Sequence, residues 1–249
     1  MGAAAVTAET RVPTPGAPEK AAVRSMFDRI APRYDLLNRL LSAGVDQRWR
    51  RASIDALALS PGSRVLDVCT GTADLLVELL RRDPGHSGAG VDLSGEMLVR
   101  GARKLRRRGW AARAVLARGD AERLPLKDGC FDGALVAFGI RNVGDPVAAL
   151  REMLRVLRPG GRLVVLEFST PPGLLGSAYR VYFERLLPRI AGLVGGDRAA
   201  YSYLPASVAR FPEPAAFGRL MQEAGFARVA WTRLTAGIAH LHRGEKAAP

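Results

Sequence analysis

Short apolar runs alternate with amphipathic stretches through the middle of the chain, and this alternation is its main structural signal. Five apolar runs predict strands, at positions 65–68, 89–92, 115–117, 133–137 and 162–168. The stretches between them have apolar residues at helical spacing and predict helices at 74–82, 95–108 and 146–157. Strands that are apolar throughout and alternate with helices are typical of a parallel sheet covered on both faces. The pattern therefore predicts an α/β fold.

The segments on either side of this region have different patterns. Apolar residues have helical spacing from about residue 21 to 60, and Pro32 separates two predicted helices there. Residues 169–212 interrupt the alternation with a helical apolar stripe from Leu174 to Leu186, which predicts a helical insertion on the substrate side of the sheet. A helix at 213–224 and strands at 226–234 and 238–243 complete a mostly parallel seven-stranded sheet.

These boundaries predict one domain over residues 21–246, with a helical cap at 21–60 and the insertion at 169–212. Residues 1–20 carry Ala, Thr, Pro and Gly with few large apolar side chains, and they are predicted to be a disordered tail. Residues 247–249 are predicted to be a second, short tail.

Composition limits the class of protein. The chain has 249 residues, 48% of them hydrophobic, which is enough to build the core of a large α/β domain. Its two cysteines, Cys69 and Cys130, have no metal-site spacing and form no disulfide framework, so we expect a reducing cytoplasm and no metal site. No apolar run approaches the roughly 18–20 residues of a membrane-spanning helix, and the N-terminus lacks the order of a signal peptide. We therefore expect a cytoplasmic protein that binds membranes at most peripherally.

The formal net charge of +13 indicates an anionic partner, either a nucleic acid or an anionic membrane surface. Much of this charge lies in the helix predicted at 95–108, where apolar positions recur at helical spacing. The basic side chains therefore also fit the solvent-exposed face of an ordinary amphipathic helix. Charge alone does not decide between these interpretations.

The residues VLDVCTGTADL at 65–75 form the most informative motif: a strand, a glycine turn and the start of a helix. Nucleotides bind at such turns because a helix N-terminus offers free backbone N–H groups. The dinucleotide fingerprint G-x-G-x-x-G is absent, since Gly71 is the only glycine of the turn. A ligand without a pyrophosphate is therefore favoured.

Polar side chains near Gly71 suit S-adenosylmethionine, which has no phosphate and carries an ammonium and a carboxylate at one end. Asp67 and Thr72 offer an acid and a hydroxyl for that end. Asp92 lies about 20 residues beyond the turn, at the end of the second predicted strand, where a carboxylate accepts hydrogen bonds from ribose hydroxyls. Asp92 by itself suits NAD and S-adenosylmethionine equally.

Two later stretches favour S-adenosylmethionine. The residues GDAERLP at 119–125 place Asp120 after the third strand, where an acid accepts from an adenine amino group. The residues LRVLRPGGRL at 154–163 join a helix to the fifth strand through a tight glycine turn. In this order the motifs resemble those of class I S-adenosylmethionine-dependent methyltransferases. The resemblance implies a Rossmann-like fold and S-adenosyl-L-methionine as the cofactor.

The flanking motifs resemble those of a narrower family, the ubiquinone/menaquinone biosynthesis C-methyltransferases. They are YDLLN at 34–38, FGIRNV at 138–143 and YSYL at 201–204. The resemblance runs from about residue 23 to 246. It implies C-methylation of a polyprenylated quinol ring, and we favour demethylmenaquinol as the substrate over the benzoquinol of ubiquinone biosynthesis.

The resemblance also implies cofactor-binding residues. Family positions carry over to Thr72, Asp92, Asp120 and Ala121, and we add Asp67 and Gly71 from the turn itself. Two positions depart from the family pattern. Ala73 replaces a glycine, where its methyl group would crowd the cofactor or fix the helix start, and Ala137 replaces a serine, which removes one hydrogen bond.

Arg141 and Asn142 directly follow the fourth strand, at the edge where ligands bind in open parallel sheets. A quinol carbon becomes nucleophilic when the neighbouring hydroxyl ionises, and a nearby cation favours that ionisation. We therefore predict that Arg141 stabilises the phenolate, that Asn142 orients the ring oxygen and that Tyr34 contacts the ring. The simpler alternatives are a structural turn for Arg141 and Asn142 and plain helix packing for Tyr34.

Three other functions stay open. A nucleic-acid methyltransferase would suit the charge, but the chain lacks the Asn/Asp-Pro-Pro-Tyr/Phe motif after the fourth strand, so we expect no nucleic-acid partner. The others are a small-molecule O- or N-methyltransferase and a non-catalytic S-adenosylmethionine-binding subunit of a lipid-associated assembly. For the favoured function we expect a polyprenylated quinol and a peripheral contact with an anionic membrane. The oligomeric state, a homo-oligomer included, is left open.

Overall fold

A seven-stranded sheet forms the centre of the computed structural model, which describes residues 19–42, 44–173, 176, 181–182 and 198–248. The strands are β1 (Arg64–Val68), β2 (Ser87–Asp92), β3 (Ala114–Arg118), β4 (Phe131–Ala137), β5 (Leu157–Phe168), β6 (Ala227–Leu234) and β7 (Ala239–Glu245). Their order across the sheet is β3-β2-β1-β4-β5-β7-β6. Only β7 runs antiparallel to its neighbours, β5 and β6. The predicted mostly parallel seven-stranded sheet is confirmed.

Eight longer helices accompany the sheet in the described part of the chain. They are α1 (Lys20–Ile30), α2 (Tyr34–Leu41), α3 (Val45–Leu57), α4 (Asp74–Arg82), α5 (Gly95–Arg107), α6 (Pro146–Val156), α7 (Arg198–Arg210) and α8 (Pro214–Glu223). Short 3-10 turns lie at Ala31–Arg33, Ile140–Asn142 and Thr235–Gly237.

The prediction of two helices before the first strand was wrong, because three are present. Pro32 lies in the 3-10 turn between α1 and α2, as its missing N–H favours. A second break follows α2, where Gly44 adopts a φ of 76° and immediately precedes α3. A left-handed residue ends one helix direction and lets the chain begin another.

Helices cover both faces of the sheet, as predicted. On one face α3, α4 and α5 contribute Leu57, Leu79 and Leu105 to an apolar cluster. On the other face α6 and α8 contribute Met153 and Phe217, both fully buried. Burying a side chain of this size is worth about 1.5–3 kcal/mol, so these contacts hold the two helix layers against the sheet.

The tight turn predicted at the start of β5 is instead a bulge within that strand. Phe131 of β4 pairs with Leu157, but Gly133 pairs with Arg162, so β5 has four residues between these pairs where β4 has one. Gly160 has a φ of 76° in this bulge, and its backbone N–H donates to the carbonyl of Lys246. The strand therefore continues through the glycines because the chain after β7 supplies the missing partner.

Part of the predicted insertion lies outside the described residues, including most of the stripe from Leu174 to Leu186. Residues 1–18 of the tail predicted at 1–20 lie outside them as well, and the last residue of that range, Lys20, begins α1 instead. Helix α7 is the main described element of the insertion. Every described helix is too short or too polar to span a bilayer.

Candidate active site

A cavity with an empty volume of about 710 Å³, part of it open to solvent, lies at the carboxyl edge of the sheet. The loops that follow β1, β2, β3 and β4 line it, because the ends of parallel strands meet at one edge. Helices α1 and α2 line the opposite side. The lining includes Cys69, Gly71, Asp92, Ser94, Asp120, Ala121, Phe138, Gly139 and Asn142 from the sheet edge, and Lys20, Val23, Arg24, Phe27 and Tyr34 from the helices.

The turn after β1 has an unusual backbone. Cys69, Gly71 and Ala73 all have positive φ angles, of 54°, 54° and 64°. For residues other than glycine this region costs about 1–2 kcal/mol each, so surrounding contacts must hold the turn in place. One contact is the backbone N–H of Thr70, which donates to the carbonyl of Val91 at 3.1 Å. Strained turns of this kind are typical of ligand sites.

Asp92 fixes the turn from the neighbouring strand. Its Oδ2 accepts a hydrogen bond from the N–H of Gly71 at 2.8 Å, and its Oδ1 accepts from the N–H of Ser94 at 2.8 Å. Burial raises the pKa of Asp92, although these backbone donors oppose the shift. Each carboxylate oxygen has a second lone pair, so Asp92 can still accept hydrogen bonds from hydroxyl groups in the cavity.

Asp67 and Thr72 are not among the residues that line the cavity. Asp67 is 1% exposed; its Oδ2 accepts from the Thr70 hydroxyl at 2.6 Å, and its Oδ1 has no partner among the described residues. Burial raises the pKa of Asp67 to about 7. Thr72 donates to Asp35 Oδ1 at 2.5 Å and accepts from Lys104 Nζ at 3.0 Å. Thr72 thus connects the turn to α2 and α5.

Asp120 and Ala121, which the resemblance assigns to the cofactor, line the cavity after β3. Asp120 Oδ2 lies 2.6 Å from Lys20 Nζ, and Glu122 Oε2 lies 2.8 Å from the same ammonium. Burial of the ammonium lowers the pKa of Lys20, but its hydrogen bonds to Asp120 and Glu122 outweigh this effect and raise that pKa. Lys20 could not be predicted from the sequence, since nothing in its local pattern relates it to a loop 100 residues away.

The three predicted catalytic residues occupy different positions. Tyr34 and Asn142 line the cavity, whereas Arg141 is not among the lining residues. The Arg141 guanidinium forms a buried ion pair with Glu167, 2.6 Å between Nη1 and Oε1, and its Nε donates to the Ser207 hydroxyl at 3.3 Å. These contacts fit a structural role for Arg141 in the turn after β4 at least as well as a direct contact with substrate.

Asn142 has one contact that the sequence motifs do not reveal. Its Oδ1 accepts a hydrogen bond from the Tyr203 hydroxyl of α7 at 3.1 Å. Its Nδ2 donates to the carbonyl of Phe138 over a long 3.4 Å. The second amide hydrogen has no partner among the described residues and is free to donate to a ligand in the cavity.

The two departures from the family pattern lie in different surroundings. Ala137 lines the cavity, so a serine at this position would place its hydroxyl in the cavity wall and the alanine does not. Ala73 is fully buried, directly precedes α4 and is not a lining residue. A Cβ added to Gly101 of α5 would stand 3.1 Å from the Ala73 Cβ. The Ala73 methyl group therefore faces α5.

The model of the ubiE/COQ5 methyltransferase family matches residues 16–246 of this sequence. The chain belongs to this family. Its sequence is 50% identical over 222 residues to a demethylmenaquinone methyltransferase from Thermus thermophilus, covering 89% of this chain and all of that protein. It is 48% identical over 226 residues to a ubiquinone/menaquinone biosynthesis C-methyltransferase, UbiE, from Geobacter sulfurreducens, covering 90% of this chain and 88% of that one.

A solved structure of a SAM-dependent methyltransferase from Thermotoga maritima matches with a TM-score of 0.61 and 25% identity. The match covers 90% of this chain and 99% of that one. The predicted Rossmann-like class I methyltransferase fold is confirmed, and this ubiE/COQ5 family member is an S-adenosylmethionine-dependent methyltransferase. The residues present suit that cofactor, because the cavity lining carries the carboxylates of Asp92 and Asp120, which can accept hydrogen bonds from hydroxyl and amino groups, and one buried oxygen of Asp67 behind the turn has no partner among the described residues.

Proposed function

We propose that the protein transfers a methyl group from S-adenosylmethionine to a ring carbon of demethylmenaquinol. The observation that carries the proposal is the 50% identity to a demethylmenaquinone methyltransferase over the full length of that relative. The cavity supports it, since acidic and amide side chains occupy the sheet edge while Val23 and Phe27 of α1 supply an apolar wall.

We place the cofactor along the carboxyl edge of the sheet. Asp92 accepts the ribose hydroxyls, and Asp120 with Ala121 receives the adenine ring. The turn around Gly71 holds the aminoacyl end, with Asp67 supplying a negative charge behind the turn. Support comes from the lining of the cavity, which includes Gly71, Asp92, Asp120 and Ala121.

The side chains of this protein bind and activate the quinol. S-Adenosylmethionine supplies an electrophilic methyl group when bound. A phenol-like hydroxyl with a pKa near 10 must ionise to activate its ring, which costs about 4 kcal/mol at neutral pH. Asn142 donates its second amide hydrogen to the ring oxygen, Tyr34 contacts the ring, and Arg141 adds a positive charge at the same edge. Glu167 compensates much of that charge, so we assign Arg141 the smaller share.

Alignment of the quinol ring carbon with the methyl group of the cofactor accounts for most of the remaining rate enhancement. Holding a nucleophile and a methyl group in line is worth up to about 7–11 kcal/mol. Aromatic side chains stiffen this edge of the site: Phe138, which lines the cavity, stacks on Phe168 with ring centroids 4.3 Å apart, and Trp49 packs against both. No histidine lines the cavity among the described residues, and burial raises the pKa of the Cys69 thiol in its wall, so that thiol stays protonated. We therefore propose that water in the cavity accepts the phenol proton. After methyl transfer the ring carbon loses its own hydrogen as a proton to water and the ring oxygen is reprotonated, which restores the quinol.

We also propose a cytoplasmic location with peripheral binding to an anionic membrane. The net charge of +13 supports it, as does the stretch from Met97 to Gly119, which contains eight cationic residues and no acidic one. A polyprenylated substrate resides in the bilayer, so contact with the surface shortens its path. Sedimentation with anionic vesicles tests this, and absence of binding at physiological salt contradicts it.

The deciding assay offers labelled S-adenosylmethionine with two quinols, a short-chain demethylmenaquinol and a short-chain demethylated benzoquinol. We expect label in the naphthoquinol ring. Label in the benzoquinol alone would assign the ubiquinone pathway step instead. Label in neither quinol, with methylation of added RNA, would overturn the proposal.

A further inference from the structure

One face of α1 forms part of the cavity wall. Lys20, Val23, Arg24 and Phe27 all line the cavity, and their spacing of three and four residues places them on one side of the helix. The opposite wall carries Asp92 and Asp120, which we assign to the cofactor. A cofactor in this position therefore lies between the sheet edge and α1.

The two ends of α1 are held by different kinds of contact. Toward its C-terminus, Met26 and Ile30 pack in an apolar cluster with Met97 and Val208. In the same half, Asp28 Oδ1 accepts from the Ser94 hydroxyl at 2.5 Å at the start of α5. This end is therefore anchored to the body of the protein by buried contacts.

The first turn of α1 has weaker attachments. Val23 packs there with 7% exposure, and the polar contact to the sheet edge is the ammonium of Lys20, shared between Asp120 and Glu122. The Lys20 side chain is 42% exposed. Water and salt therefore compete with this contact more strongly than with the apolar packing at the other end, where Met26 and Ile30 are each 9% exposed.

We propose that Lys20 latches α1 over the cofactor cavity, so that breaking its pairs with Asp120 and Glu122 opens the route by which cofactor and product leave. The proposal rests on the placement of the cofactor given above. Lys20 acts as a positioning residue, since it holds Asp120 toward the cavity and closes the first turn of α1. It takes no part in methyl transfer.

The direction of the effect distinguishes a latch from simple electrostatics. S-Adenosylmethionine carries a sulfonium charge, and S-adenosylhomocysteine lacks it. Removing a positive charge near the cavity would strengthen binding of the sulfonium and leave the thioether unaffected. Removing a latch weakens binding of both ligands and does so through the dissociation rate.

The test compares Lys20→Met with Lys127→Met, which removes the same charge from an exposed side chain outside the cavity lining. Dissociation of both ligands is followed by stopped-flow displacement. We expect Lys20→Met to speed dissociation about fivefold, the range of a partly exposed ion pair, and Lys20→Arg to restore most of the loss. Raising the salt from about 0.05 M to about 0.5 M should speed dissociation from the wild type and leave Lys20→Met unchanged.

Equal dissociation rates for Lys20→Met and Lys127→Met would overturn the latch, and so would tighter binding of S-adenosylmethionine alone.

Hydrogen exchange on the wild type gives a second measurement that needs no variant. High salt should speed exchange of the amides in the first turn of α1 more than that of amides near Ile30, and equal changes at both ends would contradict the proposal. The variant Asp92→Asn tests the placement of the cofactor separately from the latch. Unchanged cofactor binding in that variant would show that the cofactor does not lie against Asp92.

Discussion

At the scale of single residues, Asp67 shows how a ligand can complete a site. Its carboxyl group is 1% exposed, and one of its oxygens accepts no hydrogen bond among the described residues. Leaving a buried charge without a partner is costly, and the pKa of Asp67 rises to about 7 for this reason. A cationic ligand end beside the turn would reverse the shift.

Cofactor affinity should therefore depend on pH through Asp67. Below pH 7 the carboxyl group is protonated in the free protein, and binding of an ammonium requires the proton to leave. Affinity should rise by up to about tenfold per pH unit as the pH increases toward 7 and then level off. Calorimetry across this range checks the slope. Asp67→Asn should bind more weakly at pH 8 and lose the slope, and a slope that persists in this variant contradicts the assignment.

Arg141 and Glu167 are a buried pair whose members depend on each other. Their side chains are 7% and 1% exposed. Burial raises the pKa of Glu167, while the charge of Arg141 opposes that shift. Removing one member leaves the other charge uncompensated in the interior.

Arg141→Ala should destabilise the fold by about 3–5 kcal/mol, measured by urea denaturation. Arg158→Ala is the control, since it breaks the pair with Asp132 while the Arg158 side chain is 52% exposed; it should cost less than about 1 kcal/mol. The combined variant Arg141→Met with Glu167→Gln removes both charges and should recover much of the stability. If that variant turns over quinol at the wild-type rate, Arg141 has no role in stabilising the phenolate.

Sequence analysis found the residues that belong to local motifs and missed those that act across the chain. Gly71, Asp92, Asp120 and Ala121 follow strands whose order is readable, and all four line one cavity. Lys20 and Lys104 carry no motif of their own, and their partners Asp120 and Asp74 lie 100 and 30 residues away. Only the folded arrangement brings such pairs together.

At the scale of elements, one ammonium joins three separate parts of the structure. Lys104 of α5 pairs with Asp35 of α2 at 2.8 Å and with Asp74, the first residue of α4. It also donates to the hydroxyl of Thr72 in the cofactor turn. The Lys104 side chain is 14% exposed, so water screens these contacts weakly.

Lys104→Met should loosen α2 from the rest of the protein, because two carboxylates lose their shared cation. We expect a loss of about 2 kcal/mol in the free energy of unfolding and faster hydrogen exchange in α2. Arg103→Met on the same helix provides the control, since that side chain is exposed. Equal exchange rates in α2 for the two variants would show that other contacts hold the helix.

The boundaries of elements were predictable wherever the sequence carries a local signal. The helix predicted at 74–82 matches α4, whose end coincides with basic residues in its last turn. The break before α3 was not predicted, because no neighbouring residue distinguishes Gly44 from a glycine inside a loop. The bulge in β5 depends on Lys246, which follows β7, so the sequence around Gly160 could only indicate a turn.

At the scale of the whole molecule, a buried histidine couples stability to acidity. His242 of β7 is 1% exposed, donates from Nε2–H to the carbonyl of Pro214 at 3.2 Å, and lies edge-on to Phe217. Burial lowers the pKa of His242 from 6.5 to about 4. The unfolded chain therefore binds a proton at a higher pH than the folded protein does.

Stability should fall as the pH decreases from about 6.5 to about 4, because the unfolded state takes up the His242 proton first. The shift corresponds to about 3 kcal/mol. In His242→Gln, whose amide can still donate to Pro214, the loss between these pH values should be smaller by about that amount. Urea denaturation at each pH makes the comparison. Parallel curves for the two proteins would assign the acid sensitivity to other groups.

The position of β7 affects how the protein can be shortened. Strand β6 bonds to no other strand than β7 in the described sheet, and β5 has β7 as its second neighbour. A truncated product that ends before Ala239 would leave β6 detached and expose an open apolar edge on β5, where other chains can add strands. Nonsense or frameshift changes shortly before the codon of Ala239 should therefore yield aggregating polypeptide, even though every residue that lines the cavity would still be translated.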